Sequence, residues 1–152
     1  MKNDSRLSAV LHTLVHMADA GRPLTSAELA HHMGTNPVVV RRTMAGLRRD
    51  GLVRSEKGRG GGWEIACNLE KVTLRQVYDA LGAPGLLSIG VRLEHPTCLV
   101  EQAVNHALEP AFAEAEALLV ERFAEVTLAR LAADFSTRAA AWRAQHKDHS
   151  HA

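Results

Sequence analysis

A mainly α fold with one small β-hairpin and a long helix toward its end is what this sequence predicts, on three observations. Ala, Leu and Val dominate an apolar content of 46%, while aromatic residues make up only 4%, a mix that favours helices over strands. Apolar residues recur at helical spacing with recognisable caps through the first fifty positions. Alternating strand-like segments occur only around a glycine-rich tip near residue 60. With 152 residues and an ordinary 23% of charged side chains, the chain suits one compact domain with an extension.

In chain order, Leu7, Val10, Leu11, Leu14 and Ala18 predict a first helix, with Asp4 or Ser5 as its N-cap and Gly21-Arg22-Pro23 as its stop. Thr25 and Glu28 form a capping box that opens a short second helix through Leu29 and Met33. Gly34 takes the turn. Asn36-Pro37 is an N-cap followed by proline at the first helical position, and the third helix then runs to about Asp50, burying Val40, Met44 and Leu47. The segments 52–55 and 63–66 flank Glu56-Lys57-Gly58-Arg59-Gly60-Gly61-Gly62 as a hairpin. A second capping box, Thr73 with Gln76, opens a fourth helix that Gly82 closes. Residues 82–98 are irregular, broken by Pro84-Gly85 and His95-Pro96. A long helix is expected from Leu99 to about Ala124, started or kinked by Pro110, then a short one from Leu128 to Phe135. The expected organisation is therefore 1–81, three helices plus a hairpin wing with its bracing helix; 82–98, a linker; 99–136, long helices; and 137–152, a flexible polar tail.

Charge divides unevenly along the chain. Residues 1–66 hold ten basic and six acidic side chains, whereas residues 67–152 hold eight and eleven. Such asymmetry points to one half that faces a polyanion and another with a different task. Between Asn36 and Trp63 there are seven basic residues against two acidic ones. Helices two and three with the glycine-tipped hairpin are the parts of a winged helix-turn-helix, whose second helix enters the DNA major groove by its N-terminal end. That end offers Asn36, Val38, Val39, Arg41 and Arg42, residue types suited to adenine, thymine methyl and guanine edges. Lys57 and Arg59 stand at the wing tip with Gly60, where a backbone free to turn approaches phosphates closely. Arg48 and Arg49 are read as a solvated helix face. The glycine run lacks the spacing of a nucleotide-binding loop, and no catalytic constellation emerges.

The run TNPVVVRRTMAGLRRDGLVRSEKGRGGGWEI, followed by TLRQVYDALG, resembles the Rrf-two family of bacterial transcription regulators. The segment PTCLVEQAVNHALEPAFAEAEALLVERFAEVTL resembles that family's C-terminal region, so the likeness runs from Arg6 to about Phe135. It implies a homodimer on long C-terminal helices that presents two winged motifs to a palindromic operator in duplex DNA, acting as a repressor. It also implies DNA contacts from Ser26, Asn36, Val38, Arg41 and, in the wing, Lys57; Thr35, beside Asn36, is a further candidate DNA contact. Arg59 stands where proline is common. Family members that hold a [2Fe–2S] cluster use three grouped cysteines. This chain has Cys67 and Cys98, of which only Cys98 lies in that region, so no cluster and no other cofactor is expected.

The input signal is open at this level. Cys98, before the long helix, is a candidate redox or electrophile sensor, with a buried structural thiol as the competing reading. A small-molecule effector bound near residues 82–98 is a second possibility, and a winged module for protein contact without DNA a third. His12 and His16 are spaced i,i+4 and His31 and His32 are adjacent, but no third ligand accompanies them, so they are read as surface or half-buried residues and no metal site is expected. The tail histidines His146, His149 and His151 have a composition suited to weak metal binding. The start, MKNDSRLSAV, has no secretory apolar core, and no apolar run approaches a membrane span of ~20 residues. A cytoplasmic protein with reduced thiols is expected.

Overall fold

A computed structural model describes residues 6–87 and 98–146. The element order is α1 (Arg6–Ala20), α2 (Ser26–Met33), α3 (Pro37–Arg49), β1 (Val53–Glu56), β2 (Gly62–Ile65), α4 (Leu74–Ala80), α5 (Leu99–Phe123) and α6 (Leu128–His146). The two strands pair antiparallel with Val53 opposite Ile65 and Glu56 opposite Gly62. The expected α1 N-cap, Asp4 or Ser5, and most of the 82–98 linker lie outside the described residues.

Local sequence dictates most boundaries. The Thr25 hydroxyl accepts from the Glu28 N–H while the Glu28 side chain accepts from the Thr25 N–H, so both halves of the first capping box form. Thr73 and Gln76 repeat it at α4. Gly34 ends α2 at φ 61°, a left-handed conformation that a Cβ would strain.

One core joins the elements. Leu14 of α1, Leu29 of α2, Met44 and Leu47 of α3, Val77 of α4 and Leu128 of α6 are all essentially inaccessible. Leu128 belongs there because α6 is clasped at its start. The Leu128 N–H donates to Val72 O at 2.9 Å, and the Leu74 N–H donates to Val126 O at 2.9 Å.

Three features depart from the sequence expectation. The final helix continues from Leu128 to His146 rather than ending near Phe135, so residues 137–146 are helical and not a flexible tail. The Ala-rich run 139–141 carries it, since alanine is the best helix former. Pro110 lies inside α5, so of the two roles expected for it, starting the helix is excluded. Its missing N–H leaves one carbonyl of the preceding turn without a helical partner, but Pro110 and its neighbours are exposed and water can serve that group. Finally, Leu24 exchanges two hydrogen bonds with Trp63, of 2.9 and 2.8 Å, an isolated bridge on the outer edge of β2.

Candidate nucleic-acid interface

Helix α3 is amphipathic in the sense that groove recognition requires. Val40, Met44 and Leu47 face the core with no accessible surface, and the opposite side exposes Val38 (66%), Val39 (38%), Arg41 and Arg42. A valine two-thirds exposed at the tip of a helix contributes nothing to the core and is free to meet a thymine methyl. Gly34 and the Thr35 N–H, which donates to Ala30 O at 3.0 Å, set the tight turn that aims α3 outward.

Asn36 has a second occupation. Its Oδ1 accepts from the N–H groups of Val38 (3.0 Å) and Val39 (3.1 Å), closing the N-terminus of α3. A bidentate adenine contact, which the residue type suits, needs that oxygen as an acceptor. Both of its lone pairs are used, so only the amide NH₂ is left for DNA.

The wing tip, residues 57–61, turns at Gly58 (φ 99°) and Gly60 (φ 80°) and carries Lys57 and Arg59 fully outward. The wing is braced at its base. Gly62 passes so close to the Leu24 backbone that a Cβ would lie 2.5 Å from its carbonyl oxygen. Beside it, the buried Trp63 donates from its indole N–H to Ser26 Oγ at 3.1 Å, which leaves the Ser26 hydroxyl hydrogen free for a phosphate. The Leu24 bridge and this indole bond were not anticipated from sequence. No local signal marks Leu24, and only the glycine run hinted that backbone approaches closely there.

The seven cations of this segment are not equivalent. Arg54 is paired with Glu64 at 2.7 Å, and Arg48 donates to Ser55 Oγ at 3.2 Å. Arg41, Arg42, Lys57 and Arg59 hold no ion pair among the described residues, so their charge is available to an outside anion. The opposite flank of α2 is occupied by Arg22 and Glu28, 2.7 Å apart. The guanidinium first, and then the Thr25 N–H, hold the Glu28 carboxyl down to about 2.

Residues 3–134 match the family described as Rrf2, iron-dependent transcriptional regulator. The chain belongs to the Rrf2 family. YwnA of Bacillus subtilis (strain 168), provisionally named an HTH-type transcriptional regulator, is 26% identical over 125 residues, covering 82% of this chain and 92% of YwnA. A provisionally assigned transcriptional regulator from Lactobacillus plantarum superposes with a TM-score of 0.65 at 20% identity, over 95% of this chain and 98% of that one. The oxidized form of Staphylococcus aureus CymR gives 0.61 at 17% identity, over 87% and 96%. At these identities the structural matches establish the fold alone. As a family member the chain is a DNA-binding transcriptional regulator and not an enzyme.

The iron in the Rrf2 description finds no matching ligand set. The sequence has two cysteines. Cys67, just after β2, is half-buried, and that burial pushes its thiol above the usual value. Cys98 is exposed at the N-terminus of α5. Among the described residues no three His, Cys, Asp or Glu side chains converge on one point. None of the described helices is long and apolar enough to cross a membrane.

Proposed function

We propose that this Rrf2 chain acts as a homodimeric repressor that reads a palindromic operator with two α3–wing heads, carried on paired α5 and α6 helices. One observation carries the dimer. Helix α5 has 25 residues and buries none of them, leaving Val104 (49%), Leu108 (38%), Leu118 (54%) and Leu119 (39%) uncovered. A helix of that length extends ~37 Å, and an apolar stripe along it is stable in water only against a partner surface. Two-fold pairing of α5 would set two reading helices in the symmetric relation that a palindrome demands.

The contacts assigned to DNA are Val38, Val39, Arg41 and Arg42 in the groove, with the Asn36 amide. Ser26, Thr35, Lys57, Arg59 and the Gly60 backbone serve the phosphates. Cys98 is the proposed input: its thiol is exposed beside the dimer helix, in contrast to the half-buried Cys67. Oxidation there would alter how α5 meets its partner.

Genomic footprinting with and without oxidant, paired with sedimentation of the purified chain, tests these statements together. A symmetric footprint, a dimer mass and release by diamide in the parent but not in Cys98→Ser are expected. A monomer at working concentration with Leu118 and Leu119 unchanged would refute the dimer, and equal release from Cys98→Ser would refute the thiol switch. A small-molecule input is the second reading; an open, mainly apolar groove of about 470 Å³ between α1, α4 and α6, lined by Leu11, Val15, Leu74, Leu131 and Phe135, could take an apolar compound, although its lining includes none of the described residues of the expected 82–98 effector segment. Native mass spectrometry that finds a bound compound would favour it over the thiol.

A further inference from the structure

The fold assembles a histidine cluster that the sequence leaves scattered. His12 and His16 sit one turn apart on α1, and their Nε2 atoms lie 2.9 Å from each other. His32, in the last turn of α2, stacks on His16 with ring centroids 4.2 Å apart and planes at 19°. Phe135 of α6 meets the His16 ring edge-on at 5.5 Å.

Each ring of the pair is held by a different neighbour. The His12 Nδ1–H donates to the backbone carbonyl of His32 at 3.2 Å. That bond fixes the His12 tautomer and leaves the Nε2 lone pair pointing at His16. It is the arrangement by which proteins orient a metal-ligating imidazole. The His16 plane is fixed between His32 and Phe135.

We propose that His12 and His16 form a chelating site for a divalent late transition-metal ion of the copper or nickel class. With metal–nitrogen bonds of about 2 Å, two nitrogens 2.9 Å apart subtend about 90° at the ion, the angle of tetragonal rather than tetrahedral coordination. No third side chain among the described residues converges with the pair, and His32, lying parallel to His16, is a stacking support. Water therefore completes the shell. The proton now shared between the two Nε2 atoms moves to His16 Nδ1 when the ion binds, so both imidazoles remain neutral. The ion would cross-link successive turns of α1 at the point where α2 and α6 rest on it.

The test uses the full chain with the competing tail ligands substituted, as H146Q/H149Q/H151Q, titrated with Cu²⁺ or Ni²⁺ in the absence of DNA. That parent should bind one ion per chain, show the copper resonance pattern of two coordinated nitrogens, and melt at a higher temperature with Ni²⁺. His16→Gln and His12→Gln should each weaken binding at least tenfold and abolish the thermal shift, while His31→Gln leaves both unchanged. Both replaced rings are at least partly solvent-exposed, so metal-free melting should be preserved. Binding by His16→Gln as tight as the parent, a single-nitrogen pattern in the parent, or loss of all binding with the tail substitutions alone would overturn the site.

Discussion

Asn36 is assigned two roles that one set of substitutions separates. Its Oδ1 closes α3 through two backbone N–H groups, at 3.0 and 3.1 Å, and its amide NH₂ is the part left to face DNA. Removing an N-cap oxygen costs about 1 kcal/mol. In a chain of this size that corresponds to a fall in Tm of about 3 °C. Asn36→Ala should show that fall and bind operator more weakly. Asn36→Ser keeps a capping oxygen but has no amide, so its Tm should stay within a degree of the parent while affinity drops. Asn36→Asp is the most telling of the three. It caps as well as asparagine and adds a negative charge at the positive end of α3, gaining about 0.3–1 kcal/mol. It also turns two donors into a carboxylate facing phosphates, and tenfold or greater loss of affinity is expected, about 1.4 kcal/mol or more. Differential scanning calorimetry and a fluorescence anisotropy titration on a duplex selected by the purified chain supply both readouts. Equal destabilisation by Ala, Ser and Asp would refute the cap. Full operator affinity in Asn36→Asp would refute any DNA contact by the Asn36 amide.

Lys57→Ala and Arg59→Ala should each weaken binding to all duplex sequences alike and flatten the slope of log K against log salt by about 0.9 for each phosphate no longer neutralised; a change in sequence preference instead would place them on bases. Gly62→Ala puts a Cβ 2.5 Å from the Leu24 carbonyl oxygen. Because both sides of that contact are backbone, a loss of about 1–3 kcal/mol is expected, together with a change in the Trp63 fluorescence that its bond to Ser26 governs. Glu28 is lowered to about 2, chiefly by Arg22. Its stabilising contribution is therefore complete above the ordinary carboxylate pKa and is lost as pH falls from there toward 2. Acid titrations of parent and Glu28→Gln should converge over that window. Because the pair lies at the surface, with Arg22 exposed and Glu28 half-exposed, the difference should be small and should shrink with added salt.

Much of the fold could be read from the chain because its signals are local. Thr25 with Glu28, Thr73 with Gln76, and Asn36-Pro37 are each complete within four residues, and all three caps form as their spacing implies. The long helix was legible for the same reason. Two kinds of feature were not. One is the extent of α6 beyond Phe135: residues 136–146 mix alanine with polar side chains, and composition alone does not distinguish a solvated helix from a tail. The other is contact at long range. Leu24 with Trp63, Trp63 with Ser26, and His12 and His16 with His32 are separated by sixteen to forty residues, and nothing within a local window specifies them. The candidate site could be proposed from the sequence only as a list of residue types. That Arg48 and Arg54 are occupied, and that half of the Asn36 amide is spent on its own helix, required side-chain positions.

These long-range contacts constrain how a signal could reach the reading head. The wing is tied to the start of α2 by the Leu24–Trp63 bonds and the Trp63–Ser26 bond, and α2 leads into α3 through a turn in which the Gly34 and Thr35 N–H groups donate back to α2. Helix α4 lies against α3 where Gly46 lets the Ala80 carbonyl oxygen approach to 3.4 Å of a Cβ position. The α5–α6 junction is clasped to the segment before α4 by backbone hydrogen bonds of 2.9 Å. Melting α3 would mean breaking several of these at once, whereas α5 buries no residue fully and rests on the core chiefly at its C-terminal end, through Val120 and Phe123. A change at the α5 N-terminus therefore has little leverage on the shape of one head. In the proposed dimer its leverage would fall on the relation between the two heads across the α5 pair. Operator half-sites repeat at about 34 Å, one helical turn, and a tilt of two ~37 Å helices by a few degrees shifts their ends by ångströms, enough to take both heads out of register. The switch proposed at Cys98 should accordingly change affinity for the two-site operator far more than for a single half-site.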